Sequence, residues 1–305
     1  MTRAILRALA ASLVLTFTVP AFSATMGEVT ALHDAKRYKE AFAAVKPLAE
    51  AGDVKAMVML AAMYRNGQGT EETSEEARTW YGKAAEAGDA EAQYNYALLL
   101  IDEDAGTTDP AASAEWLAKA AGNGNNKAQY NLGLIYAGRY GADPDWPKAI
   151  EWLGKAAAAG NPNAQYDLGL LYLDGNGVPR NPIAATEWLS KAALKGMPEA
   201  ALEYGVMVMR GEGVEQDIGI GLRWLRFAAE RGHPVAQNRL ARIYASGTGA
   251  KADPVEGAMW NLLAEKGGRS DPTLEDFMKG LSTAQLEEAR KRAAAFVAKP
   301  VANLD

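Results

Sequence analysis

The segment from Gly160 to Ala193 reads GNPNAQYDLGLLYLDGNGVPRNPIAATEWLSKAA, and its pattern recurs along most of the chain. A shift of 36 residues in either direction reproduces its tryptophan, glycine and alanine positions. A fixed period of this length is typical of repeat architectures, in which each unit buries apolar surface against its neighbours. The period is plainest in the tryptophans, at Trp80, Trp116, Trp152, Trp188, Trp224 and Trp260.

Each repeat contains two runs of apolar residues at helical spacing. In the quoted segment Asn161 and Pro162 begin the first helix, Gly175 ends it, and Asn181 caps the second helix. The six repeats therefore predict antiparallel helix pairs that stack along the chain. The positions equivalent to Asn181 all hold residue types that cap helices: Thr73, Asp109, Asp145, Asp217 and Asp253.

Two positions predict how the helices meet. Gly169 lies inside the first helix, where glycine costs about 1 kcal/mol relative to alanine. The equivalent position is glycine or alanine in every repeat, so we expect close approach of a neighbouring helix there. A buried tryptophan removes roughly 150–250 Å² from water. Trp188 is therefore predicted to be the main wedge between helix pairs.

Four regions make up the predicted domain organisation. Residues 1–23 have a basic start and an apolar run, Ala8 to Val19, and they end in small residues, as secretory signal peptides do. That run is shorter than the roughly 20 residues that span a bilayer. We expect cleavage near Ser23 or Ala24, a periplasmic or secreted location, and no membrane span afterwards. Residues 24–51 are predicted as an N-terminal helix or half repeat, 52–267 as six repeats, and 268–305 as C-terminal capping helices.

Composition narrows the possible chemistry. The chain has 305 residues, 23% of them charged, with a formal net charge of −6 and no cysteine. The absence of cysteine excludes disulfides, thiolate metal sites and a cysteine nucleophile. An acidic chain binds nucleic acid and anionic membranes poorly, so we expect no nucleic-acid partner.

The repeat motif resembles the Sel1-like repeat, a relative of the tetratricopeptide repeat. The matching patterns are A-x-x-x-L-G-x-x-Y from Ala164, G-x-G-V from Gly175, and A-x-x-W-x-x-x-A-A-x-x-G from Ala185. The resemblance covers about Gly52 to Gly268. It implies an all-α fold, a right-handed α/α superhelical solenoid of helix pairs, that holds other proteins. Exported bacterial members of this class include regulators of envelope signalling and cell-wall or host-interaction factors.

Catalytic motifs are lacking in the sequence. His33 and His233 are the only histidines, and His233 occupies a helix-capping position. There is no H-E-x-x-H, G-x-S-x-G, Walker or S-x-x-K motif. We therefore expect no enzymatic activity, no cofactor and no metal site.

A ladder of polar residues is the candidate partner-binding groove. By analogy with tetratricopeptide repeats, this face of the first helix lines the concave side of the array. The alternative interpretation is packing within the stack, which we favour for the tyrosines and weigh evenly for the amides. The candidate residues are Tyr94, Asn95, Tyr130, Asn131, Tyr166 and Asp167.

These observations favour an exported scaffold or adaptor that binds a protein or peptide partner of the cell envelope in its groove and regulates envelope signalling. The first alternative is an envelope protein that binds peptidoglycan or another glycan, or acts on the cell wall. The second is an assembly factor for an envelope complex. Neither alternative is excluded by the residues alone.

Overall fold

The computed structural model describes residues 24–102 and 108–301, so the predicted leader lies outside the described residues. The chain divides into two compact units, the first ending at Ala92 and the second beginning at Gln93. Over the described ranges the regular structure is helical, with sixteen α-helices, one 3-10 turn and no strand. The predicted all-α solenoid of helix pairs is confirmed. None of these helices is both long enough and apolar enough to cross a membrane.

The first unit shows one difference from the prediction. Residues 24–51 form two helices, not one, because Lys36 turns the chain with a φ of 58°. Thr25 begins the earlier helix through a capping box with Glu28. The helices are α1 (Met26–Asp34), α2 (Tyr38–Glu50), α3 (Val54–Arg65) and α4 (Ser74–Glu86), and α5 (Ala90–Leu99) spans the division between the units.

In the second unit each helix from α6 to α13 packs against the next helix along the chain, and α14 packs against α16. The odd-numbered members, α7, α9, α11 and α13, are the first helices of their repeats. The bounds are α6 (Pro110–Gly122), α7 (Asn126–Tyr136), α8 (Trp146–Ala158), α9 (Pro162–Asp174), α10 (Pro182–Leu194), α11 (Pro198–Arg210), α12 (Ile218–Glu230), α13 (Pro234–Ser246), α14 (Pro254–Lys266), α15 (Pro272–Lys279) and α16 (Thr283–Ala295).

The predicted caps of the second helices form in all but one repeat. Each capping side chain accepts a hydrogen bond from a backbone N–H of the first helical turn, which leaves fewer unpaired donors there. Thr73 is the exception, because its hydroxyl donates to the Glu71 carbonyl at 3.2 Å and makes no capping bond. The caps that form are Asp109, Asp145, Asn181, Asp217 and Asp253.

Within a repeat, the closest approach joins a glycine of the first helix to a leucine of the second. A Cβ atom added at Gly169 would lie 2.7 Å from Cγ of Leu189, and one at Gly133 would lie 2.7 Å from Cγ of Leu153. Both leucines are at most 1% exposed, so they cannot move aside freely. The prediction that this position must be small is confirmed.

The tryptophans are less buried than their spacing suggested. Trp80 and Trp260 are buried, whereas the other four period-defining tryptophans are half-buried. In four repeats a lysine three positions later covers the indole ring, with its Nζ between 3.6 and 4.1 Å from the ring centroid. Leu189, the next residue, is 0% exposed, while Trp188 packs against the apolar cluster of α8 and α9 that contains Ala156 and Leu168, so Trp188 as the main wedge stays a prediction.

The last two helices cover the end of the array. Ser282 and Gln285 form the predicted capping box at the start of α16. Ala289 of α16 and Leu274 of α15 are at most 1% exposed and join the apolar cluster of the last repeats. The Phe296 ring packs edge-on against Trp260, with the two centroids 5.7 Å apart. This arrangement is expected of a terminal cap.

We predict that Gly169→Val lowers the free energy of unfolding by about 1–3 kcal/mol, because the added methyl groups have no space against Leu189. Gly154→Val is the matched control, since Gly154 lies in α8 and a Cβ atom added there meets no atom within 4 Å. Urea titration followed by circular dichroism measures both variants. Equal stability of the two would contradict the close packing described above.

Candidate functional site

A cleft of about 490 Å³ lies in the second unit, where the first turns of α7 and α9 meet the preceding loops. Three predicted groove residues, Tyr94, Tyr130 and Asn131, line it. The remaining wall comes from the starts of the two helices and from the end of α10. Those additional residues are Asn126, Lys127, Gly160, Asn161, Pro162, Asn163 and Lys195.

Hydrogen bonds between neighbouring repeats fix the side chains of this wall. The Tyr130 hydroxyl donates to Oδ2 of Asp167 at 2.9 Å. The Asn131 amide donates to the Tyr94 hydroxyl at 3.3 Å and to the Lys127 carbonyl at 3.0 Å. Both side-chain pairs join residues 37 apart, one repeat plus one residue. The tyrosines therefore connect successive first helices as well as lining the cleft.

The six candidate residues have different surroundings. Asp167 is half-buried and reaches the cleft through its bond with Tyr130. The Tyr166 ring packs against the apolar cluster that contains Leu189. Asn95 is half-buried on α5, next to Tyr94 in sequence. The structure thus joins Tyr130 to Asp167 and Asn131 to Tyr94 in two hydrogen-bonded pairs, and it places Tyr166 mainly in apolar packing.

Burial is the largest cause of the shifted pKa values of Asp167, Tyr130 and Tyr166. It raises the pKa of Asp167 above the ordinary carboxyl value, and the hydrogen bond from Tyr130 and the charge of Arg139 only partly oppose this effect. Burial, followed by the nearby Asp167 carboxylate, raises the pKa of Tyr130. The same cause raises the pKa of Tyr166 to about 12, with a smaller contribution from Glu203. Both tyrosines are consequently neutral at physiological pH.

Sequence reasoning missed the part of the cleft built at the helix junctions. The Asn126 amide donates to the Ala159 carbonyl at 3.2 Å, and its buried Oδ1 has no hydrogen-bond partner among the described residues. Lys127 and Lys195 bring two amines to the same wall. Lys127 and Asn163 occupy the same position in consecutive repeats, and the repeat motif does not specify the residue there. A position that varies between repeats was the sequence signal that could have pointed to these cleft residues.

The cleft offers amide groups, hydroxyl groups and amines, but no nucleophile paired with a base. No group of three histidine, aspartate or glutamate side chains within the described ranges could hold a metal ion. His233 caps α13, as predicted, since its Nδ1 accepts from the Ala236 N–H at 3.4 Å. Donors and acceptors at fixed spacing suit recognition of another polar chain rather than bond cleavage.

The repeats described above match a known family. A profile described as the Sel1 repeat matches residues 54–89, 90–125, 126–161, 162–197, 198–233 and 234–268. The chain belongs to the Sel1 repeat family. Each match begins at or next to the start of a first helix, so the Sel1 repeats coincide with the helix pairs.

Two solved Sel1-type structures are similar to this chain. A Sel1 repeat protein from Oxalobacter formigenes is 31% identical, with a TM-score of 0.66, over 80% of this chain and 100% of that one. The protective antigen c5321 of uropathogenic Escherichia coli, described as displaying an SLR fold, is 28% identical with a TM-score of 0.74. That match covers 89% of this chain but only 61% of c5321. No curated protein matches the sequence.

Sel1 repeat proteins generally act as non-catalytic scaffolds for protein–protein interaction. Membership of this family therefore indicates that a protein partner is the class of ligand to seek. The cleft lined by residues of the second, third and fourth Sel1 repeats is the candidate site on this chain.

We predict that Asp167→Asn becomes more stable relative to the wild type as pH rises from 4 to 7. The folded-state pKa of Asp167 is raised, so its stability contribution is complete below the unfolded value and is lost as pH rises through the folded value. Asparagine keeps an acceptor for Tyr130 without the charge. Thermal unfolding at several pH values measures the effect, with Asp174→Asn, an exposed position of α9, as control. A difference in melting temperature that stays constant with pH would refute it.

Proposed function

We propose that this protein is an exported, non-enzymatic scaffold that binds a protein or peptide partner of the cell envelope and so regulates envelope signalling. The observation that carries the proposal is the 490 Å³ cleft lined by tyrosine, asparagine and lysine side chains. Export rests on the signal-like residues 1–23. Family membership supports the scaffold role.

An extended peptide is the occupant that fits this cleft best. Its backbone presents N–H and C=O groups at regular spacing, with which the Asn163 side-chain amide and the amines of Lys127 and Lys195 can pair. The hydrogen bonds from Tyr130 to Asp167 and from Asn131 to Tyr94 restrain the wall, which limits the entropy lost on binding. Asn95 and Tyr166 extend the same surface along the first helices in this proposal.

Substitution of Asn131 and Asp167 together by alanine should weaken partner binding about tenfold, because two polar contacts worth about 0.5–1.5 kcal/mol each are lost with the wall they support. A partner is first recovered from periplasmic extract on the immobilised wild type, and its affinity is then measured with purified components. Circular dichroism checks that helicity is unchanged.

The matched control is the double alanine substitution of Asp174 and Asn176. These residues carry the same functional groups and are exposed at the end of α9 and in the loop that follows. The control should bind like the wild type. If the partner binds both double variants equally well, the cleft is not its docking site.

A glycan-binding function is the second candidate, because the amides of Asn126, Asn131 and Asn163 and the hydroxyl of Tyr94 also suit sugar hydroxyl groups. Sedimentation with purified peptidoglycan sacculi tests this candidate directly. Retention of the wild type and release of the Asn131 and Asp167 double variant would favour it over a peptide partner. A digest of the sacculi into soluble muropeptides would instead indicate cell-wall hydrolysis.

A further inference from the structure

A second, smaller groove of about 340 Å³ lies between α11 and α13. Both helices contribute apolar and basic side chains to its lining. The apolar ones include Val206, Met209 and Ile243, and the basic ones are the guanidinium groups of Arg210, Arg239 and Arg242. We call this surface the cationic groove. Such a concentration of positive charge is unusual in a chain with a net charge of −6.

The cationic groove continues the face that contains the proposed peptide cleft. Asn131, Asp167, Glu203 and Arg239 occupy the same position in four consecutive repeats, each 36 residues after the one before. Along this line the side chain changes from neutral to acidic and then to basic. The repeat framework does not require this change, because all four positions lie on first helices with the same helical geometry.

Arg239 and Arg242 differ in whether a hydrogen-bond partner compensates the guanidinium Nε. Its Nε atom is buried and has no hydrogen-bond partner among the described residues. Arg242, by contrast, donates from Nε to Oδ2 of Asp271 at 2.5 Å, and Asn238 donates to the same oxygen at 3.0 Å. Asp271 is buried, and its carboxylate already accepts hydrogen bonds from Arg242 and Asn238. The Arg239 side chain as a whole is only partly buried and lines the groove, so its terminal guanidinium nitrogens are the donors that an incoming carboxylate would meet.

The electrostatics agree with this geometry. Burial lowers the pKa of Arg239, and repulsion from Arg210, Arg242 and Arg269 lowers it further. Glu203 is the acidic group that opposes these effects. Arg210 and Arg242, two of the groups that repel Arg239, line the same groove.

We propose that the cationic groove binds an acidic segment of the protein partner, with a carboxylate on Arg239 and Arg210 and a neighbouring apolar side chain against Met209 and Ile243. This inference rests on the proposed scaffold function and adds the chemistry of the partner. Guanidinium groups match carboxylates in planar geometry and form strong, charge-assisted hydrogen bonds. The apolar side chains add selectivity for a peptide over a simple anion.

A protein partner fits better than a nucleic acid. Binding along a phosphate backbone needs an extended basic stripe on a basic domain, whereas here the charge is confined to one groove of an acidic chain. The apolar side chains of the groove would also gain little from contact with the solvated backbone of a nucleic acid. Preferential binding of an oligonucleotide would therefore overturn the proposal.

Fluorescence anisotropy tests the proposal with two labelled decapeptides, one alternating glutamate with leucine and the other alternating glutamine with leucine. We expect the acidic peptide to bind at least about tenfold more tightly, and to lose affinity as salt increases. Arg239→Met should reduce its affinity about tenfold while keeping the apolar stem. Arg223→Met is the matched control, since Arg223 is exposed on α12 and should have no effect.

Arg210→Met, at an exposed position, provides a second test if Arg239→Met alters folding. Equal binding of the two peptides, equal effects of Arg239→Met and Arg223→Met, or tighter binding of an oligothymidylate would each overturn the proposal.

The double variant of Asn131 and Asp167 distinguishes a failure of the proposed cleft from a failure of the cationic groove. If it loses the envelope partner while the acidic peptide shows no preference, only the cationic groove is wrong. If it keeps the partner while Arg239→Met loses the peptide, only the cleft is wrong.

Discussion

The spacing between the two helices of each repeat depends on one steric contact. A small residue of the first helix faces the backbone or a fully buried side chain of the second, as Gly169 faces Leu189. In the fifth repeat the contact is with the backbone, since a Cβ atom at Gly205 would lie 2.9 Å from the Gly221 carbonyl oxygen. In the fourth repeat the neighbouring Trp188 is only partly buried, and Lys191 covers its ring.

Much of the helical framework could be predicted because it depends on local chemistry. Glycine, proline and capping residues mark where each helix begins and ends, and the period aligns the repeats. The relative burial of Trp188 and Leu189 could not be predicted, because the two differ by only about 100° around the helix and both lie on the apolar side. Which of them is more buried depends on the neighbouring helix. The turn at Lys36 could not be predicted for a different reason. A positive φ is uncommon for residues other than glycine, so a lysine does not indicate one.

Part of the candidate site could likewise be predicted from the sequence, and part could not. Tyr94, Tyr130 and Asn131 were found from the sequence because they repeat, and they do line the cleft. Their hydrogen bonds were not foreseen, because a bond such as that from Tyr130 to Asp167 depends on the rotation between successive repeats. The lysines of the cleft and the unpaired Nε of Arg239 lie where the motif permits any residue. Ligand chemistry in a repeat protein is thus best sought where the repeats differ from one another.

The bonds from Tyr130 to Asp167 and from Asn131 to Tyr94 each connect one repeat only to its immediate neighbour. If a gene gained one whole 36-residue unit with the same tyrosine and polar side chains, the new partners would stand at the same separation and the same bonds could form. Loss of half a unit would instead bring a second helix to a first-helix position and leave these polar groups unmatched. Such an array can therefore vary in length over evolution in steps of complete units.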